Sequence, residues 1–84
     1  MKKVAALIAS GSGMGADAAK HLSSKGFNVA IMSSSGKAEK LAKEIGGFGY
    51  TGSNLSVKNI SEFIQNVSNI YGKIDVLINS AGHG

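Results

Sequence analysis

Two hydrophobic periods alternate along this chain, and that alternation restricts its fold more than any other property. Val4 to Ala9, Val29 to Met32 and Ile74 to Ile78 are short, mostly aliphatic runs, the pattern of strands buried on both faces of a parallel sheet. Phe48 to Thr51 is a weaker fourth run. Segments with helical spacing lie between them. Met14, Ala18 and Leu22 fall at i, i+4 and i+8, with Asp17, Lys20, His21 and Ser24 on the opposite face. Ala38, Leu41, Ala42 and Ile45 repeat the i, i+3, i+4, i+7 pattern; Glu39 stands four residues before Lys43, and Gly46 is positioned to stop the helix. Ile60, Phe63, Ile64, Val67 and Tyr71 make a third apolar face, with Ser56 as N-cap and Gly72 just past the end. Strands alternating with helices imply right-handed crossovers and a parallel sheet covered on both sides. The expected class is therefore α/β, in the order β-α-β-α-β-α-β.

The 84 residues are enough for one small domain, spanning 1–84, and nothing in them reads as a linker or repeat. With no cysteine, disulfides and thiolate metal sites are excluded, and two histidines, His21 and His83, give no basis for a metal centre. His21 belongs to a polar helix face and His83 to the chain end, so neither is promoted to a catalytic base. Met1-Lys2-Lys3 followed by Val4 to Ala9 has too few apolar residues for a signal core, and a buried strand explains the run better. No stretch approaches the roughly 20 apolar residues of a membrane span, so a cytoplasmic location is expected. The Asn-x-Ser triplets at Asn54, Asn59 and Asn66 are then chance matches. A net charge of +4 raises the question of nucleic acid. All nine basic residues are lysines, scattered over several helix faces. Without arginine there is no bidentate fork for guanine or phosphate, so no nucleic-acid partner is expected.

The strongest chemical signal is Ala9-Ser10-Gly11-Ser12-Gly13-Met14-Gly15-Ala16, where the first strand gives way to the first helix. Glycines let the backbone approach a ligand closely, and the N–H groups and positive dipole end of the helix start suit a pyrophosphate. Read as G-x-G-x-x-G/A the residues are Gly11, Gly13 and Ala16; no Gly-Lys-Ser/Thr follows, which removes a Walker-type loop. Within a βαβ unit this loop points to a dinucleotide, and to a Rossmann-type, partial doubly wound sheet of parallel strand order 3-2-1-4. An acidic residue about 20 positions on would hold a ribose 2′-hydroxyl. This chain has Met32-Ser33-Ser34-Ser35-Gly36-Lys37 there, with no carboxylate to repel a 2′-phosphate and with hydroxyls and Lys37 to receive one. NADP(H) is therefore expected in slight preference to NAD(H).

These residues resemble the short-chain dehydrogenase/reductase family. Its opening motif, T-G-x-x-x-G-x-G, aligns with Ile8-Ala9-Ser10-Gly11-Ser12-Gly13-Met14-Gly15; the second and third glycines match, while Ala9 and Ile8 replace the first glycine and the threonine. A second landmark, Y-G-x-I-D-x-L-I followed by N-N-A-G, reads Tyr71-Gly72-Lys73-Ile74-Asp75-Val76-Leu77-Ile78-Asn79-Ser80-Ala81-Gly82, with Ser80 for the second asparagine. The resemblance implies that Ser10, Gly11, Ser12, Gly13, Met14 and Gly15 face the pyrophosphate and that Ser33 and Ser34 lie near the adenosine ribose. By the same resemblance Asn54 and Leu55 match a D-V pair that contacts adenine, and Asn79, Ala81 and Gly82 line the cofactor's other flank.

It further implies an oxidoreductase that moves hydride between a nicotinamide cofactor and a carbonyl or alcohol. The family's catalytic Y-x-x-x-K pair lies beyond this stretch: Asn54 stands four residues after Tyr50 and Asp75 four after Tyr71. The expectation is thus a cofactor-binding amino-terminal portion, apparently truncated, with no catalytic residue of its own. The alternative is a non-catalytic βαβ module that binds a nucleotide or associates with itself. Either way the fourth strand has an outer edge without a partner in this sequence, which predicts a homo-oligomer built through that edge.

Overall fold

A computed structural model describes residues 2–8, 14–34, 36–53 and 55–79, and of Met14, Gly15 and Ala16 only the helical backbone. Its elements run β1 (Val4–Ile8), α1 (Met14–Ser24), β2 (Asn28–Ser33), α2 (Lys37–Ile45), β3 (Phe48–Thr51), α3 (Val57–Tyr71) and β4 (Val76–Asn79). The four strands form one sheet in the order β3-β2-β1-β4, every pairing parallel. Both the alternation and the strand order agree with the sequence expectation.

Each element follows from local chemistry. All five residues of β1 are buried, as are the last five of β2, because helices cover both sides of these two strands. In α3, Phe63 and Val67 are fully buried, and Ile60, Ile64 and Tyr71 pack beside them. Ser56 caps this helix by accepting the Asn59 N–H at 3.2 Å, and Gly72 closes it. In α2, Ala38 and Ala42 are buried and Gly46 ends the helix. In α1, Ala18 and Leu22 face the core as spaced, but the most buried residue is Ala19, which flanks Leu22 on the helical wheel.

The two faces have separate cores. Val4, Ala6, Ile8, Ala30 and Met32 point toward α3, whereas Ala5, Leu7, Val29 and Ile31 point toward α1 and α2. Phe63 stacks on Phe48 at 6.3 Å between ring centroids and tilts against Tyr50 at 6.1 Å.

Three expectations are corrected. β4 begins at Val76 rather than Ile74, because Asp75 turns back onto β1: its N–H donates to the Val4 carbonyl at 2.9 Å and its Oδ2 accepts the Val4 N–H at 2.7 Å. Nor is β4 buried on both faces. Val76 and Ile78 pack on the α1/α2 side, while Leu77, on the α3 side, is 55% exposed. Among the described residues β4 pairs only with β1, and the Phe63 ring of α3 is directed at Phe48 and Tyr50 of β3, away from Leu77. Finally, Glu39 makes no ion pair with Lys43; its Oε2 instead accepts the Thr51 hydroxyl at 2.6 Å, tying α2 to the end of β3.

Candidate functional site

Because all four strands are parallel, their carboxyl ends emerge on one rim. Ile8 aligns with both Met32 and Asn79, and Ser33 with Thr51. The chain leaves β1 for β2 on one side, whereas β4 lies on the other, so the sheet order turns between β1 and β4. A turn of this kind opens a crevice at the carboxyl ends of the strands. The loop from Ile8 to Met14, where α1 starts, departs from that point. Ser10, Gly11, Ser12 and Gly13 lie outside the described residues, as do Asn54, Ala81 and Gly82; Met14 and Gly15 open the helix.

At the end of β2, Ser33 is 3% exposed and its Oγ accepts the Ala38 N–H at 3.2 Å. The N-cap of α2 is Gly36, which has no side chain to offer. Ser33 therefore supplies from three residues upstream the acceptor that an ordinary N-cap would provide. Its carbonyl also accepts the Gly52 N–H at 2.9 Å, holding the next loop against it. The hydroxyl thus faces inward, while Ser34 and Lys37 beside it are exposed. Sequence reasoning assigned Ser33 to the ribose and missed this role; the readable signal was a serine just ahead of a helix whose cap residue is glycine. The start of α2 also lies tight on β3. A Cβ on Gly49 would stand 2.5 Å from the Glu39 Cα and 2.7 Å from the Ala38 carbonyl oxygen, so only glycine permits this approach.

After β3 the loop is fixed by Asn59, which the sequence reading named only as the start of a chance Asn-x-Ser triplet. Its Oδ1 accepts the Ser53 N–H at 2.8 Å, and the Leu55 N–H donates to the Ser53 Oγ at 3.1 Å. Asn59 sits third in a Ser-capped helix, the position from which a side chain commonly reaches back to the preceding turn. This arrangement leaves Leu55 84% exposed. Asn79 ends β4 opposite Ile8 and is also exposed.

The titratable groups build structure rather than chemistry. The Tyr50 hydroxyl donates to Glu62 Oε1 at 2.6 Å, and that bond with the nearby carboxylate pushes its pKa up. Burial pushes the Tyr71 hydroxyl up. Asp75, at the opposite rim, is held below the usual carboxylate range by the Val4 N–H and then by Lys73, whose Nζ lies 3.1 Å away. Among the described residues no group of three His, Cys, Asp or Glu side chains could hold a metal. No described helix is long and apolar enough to cross a membrane.

With this geometry established, the likenesses to known proteins are informative. The family model for short chain dehydrogenase matches residues 3–84. No curated protein sequence matches. Among solved structures, a short-chain dehydrogenase/reductase from Serratia marcescens superposes with a TM-score of 0.85 at 26% identity, covering 96% of this chain and 36% of that one. A 3-oxoacyl-[acyl-carrier protein] reductase from Brucella melitensis, in complex with NAD, gives 0.75 at 30% identity, covering 100% and 35%. An NAD+-bound xylitol dehydrogenase gives 0.79 at 25% identity, covering 96% and 34%. The chain thus spans about a third of the length of the structures it resembles.

Proposed function

This chain belongs to the short-chain dehydrogenase family, and we propose that it forms the NADP(H)/NAD(H)-binding part of an oxidoreductase acting on a carbonyl or alcohol. The supporting observation is the pair of anchors, Ile8 ending β1 and Met14 opening α1, at the point of the rim where the strand order turns. Amides of Ser10, Gly11, Ser12, Gly13, Met14 and Gly15 would hold the diphosphate at the helix start. Ser34 and Lys37, both exposed beside the start of α2, would receive a 2′-phosphate, favouring NADP(H). Ser33 would shape the ribose corner by fixing the first turn of α2. Asn54 and the exposed Leu55 would meet adenine, and Asn79, Ala81 and Gly82 the other flank. When bound, the cofactor supplies or accepts the hydride. The reading includes a cytoplasmic location, supported by the apolar run after Lys3 being a fully buried central strand.

Calorimetry with NADP(H), NAD(H) and AMP tests this assignment. NADP(H) should bind more tightly than NAD(H), and AMP more weakly than either. No heat at roughly millimolar ligand would remove the cofactor assignment. Equal or tighter binding of NAD(H) would remove only the roles of Ser34 and Lys37.

A second reading, a module that associates with itself through β4, is favoured by the 55% exposure of Leu77 and by the unpaired outer edge of β4 among the described residues. Light scattering should then find a dimer. A stable monomer at high concentration would eliminate it.

A further inference from the structure

The lysines that look scattered in sequence are partly gathered by the fold. Lys2, Lys3 and Lys25 surround, with Gly26 and Phe27, a depression of ≈ 650 Å³. It lies at the amino-terminal ends of β1 and β2, the rim opposite the proposed dinucleotide site.

Backbone bonds fix its outline. The Lys3 carbonyl accepts the Asn28 N–H at 2.8 Å, which joins the strand entering β1 to the residue after Phe27. At the end of α1, the Phe27 N–H donates to the Leu22 carbonyl at 3.1 Å and the Gly26 N–H to the Ser23 carbonyl at 3.0 Å. Gly26 takes the left-handed φ of 91° that this closure requires. Phe27 and Leu22 then pack together over the α1/α2 core, leaving Phe27 half-buried as the floor.

This closure bears on Lys25. A lysine at a helix end ordinarily serves to cap the last carbonyls. Here the His21, Leu22 and Ser23 carbonyls already accept backbone N–H groups of residues 25–27, so the Lys25 ammonium is not required there.

Acids reach these charges only at a distance: Asp75 feels the charge of Lys3 without forming an ion pair with it. Among the described residues the one ion pair is Lys73–Asp75. The Asp75 carboxylate also accepts the Val4 N–H, Glu39 accepts from Thr51, Glu62 accepts from Tyr50, and Asp17 and Glu44 form no ion pair. Three lysines thus line one concavity, and no carboxylate of the described residues lies within 4.0 Å of their ammonium groups. Like charges brought together gain most from a ligand that carries several negative charges in a short span. Ammonium groups act as point charges without a fixed fork, so they suit a flexible chain of oxyanions better than a planar carboxylate.

We propose that Lys2, Lys3 and Lys25 form an anion site for a condensed phosphate chain, free or as the tail of a nucleotide, separate from the dinucleotide rim. The inference does not depend on the cofactor assignment. It is tested by amide NMR of the 84-residue chain, titrated at low ionic strength with inorganic tripolyphosphate and, separately, with ATP. Shifts should concentrate at residues 2–4 and 25–28 and persist when NADP+ is present at saturation. Equal affinity for both ligands would identify the free chain as sufficient, whereas tighter ATP binding would add a base contact on Phe27. Lys3→Gln and Lys25→Gln should each weaken tripolyphosphate by about two- to fivefold, and Lys58→Gln should leave it unchanged. The lysines are exposed, so the folded spectrum should survive each change. Absence of shifts, shifts confined to Met14, Ser34 and Lys37 and lost with NADP+, or equal weakening by Lys58→Gln would overturn the proposal.

Discussion

The two faces of the sheet are filled by opposite means. Against α1 and α2 the chain uses small residues: Ala5, Ala19, Ala38 and Ala42 are all buried, and at Gly49 the backbones of β3 and α2 nearly touch. Against α3 it uses bulk, with Ile8, Met32, Phe63 and Val67 buried and Phe48 and Tyr50 packed around them. The first face, which also buries Leu7, Val29 and Ile31, is thus set by how closely its helices approach, and the second, which also buries Ala6 and Ala30, by the bulk of Phe63 and its neighbours. The rim where Ser34 and Lys37 stand is governed by the first kind of packing.

Breaking the bulky face should have the largest effect. Phe63→Ala removes a fully buried ring that contacts two others, and should cost about 3–5 kcal/mol in urea denaturation. That approaches the whole stability of a domain this size. A loss below about 1 kcal/mol would mean that the α3 face collapses to fill the space. The tight face should respond to addition rather than removal. In Gly49→Ala the new methyl meets the Glu39 Cα and the Ala38 carbonyl, and the expected cost is about 1–3 kcal/mol. The amide shifts of Ala38 to Lys40 should move with it, and an unchanged α2 start would contradict the close approach.

Ser33→Ala sharpens the comparison at smaller scale. It leaves the Ala38 N–H without its acceptor and should cost about 1 kcal/mol. Hydrogen exchange at Ala38 should quicken, and slow exchange there would show that another group holds the helix start. The smallest change is expected at the strand shared by both faces. Asp75 is ionised more readily when folded than when unfolded, because the Val4 N–H and Lys73 favour its carboxylate. Its contribution is present above the unfolded carboxylate pKa of about 3.9 and is lost as pH falls through the lower folded value. Denaturation midpoints should therefore drop as pH falls below about 4 in the native chain, and less so in Asp75→Asn. Identical acid limbs would remove Asp75 from the account.

Much of this was legible because it is local. The apolar face of α3 from Ile60 to Tyr71, its Ser56 cap and its Gly72 stop follow from residues a few positions apart. Strand order also followed, from the glycine loop set within a βαβ unit. The glycine loop was located by its neighbours, a strand and a helix, and its two anchors stand where that reading required. What escaped depends on segments distant in sequence. The run Ile74 to Ile78 looked like one buried strand, yet Ile74 joins the α3 core, Val76 and Ile78 join the other, and Leu77 faces outward. The partners of Glu39 and Asn59 were hidden for the same reason, since a side chain's nearest acceptor or donor is set by the register of neighbouring elements. The gathering of Lys2, Lys3 and Lys25 likewise needs α1 to return the chain beside β1.

The clasp between Val4 and Asp75 joins residues 71 positions apart. β1, flanked by β2 and β4, consequently gains its second neighbour only through a segment far along the chain. Contacts that close so long a loop form slowly, and until they do the flank of β1 remains open to any other extended chain.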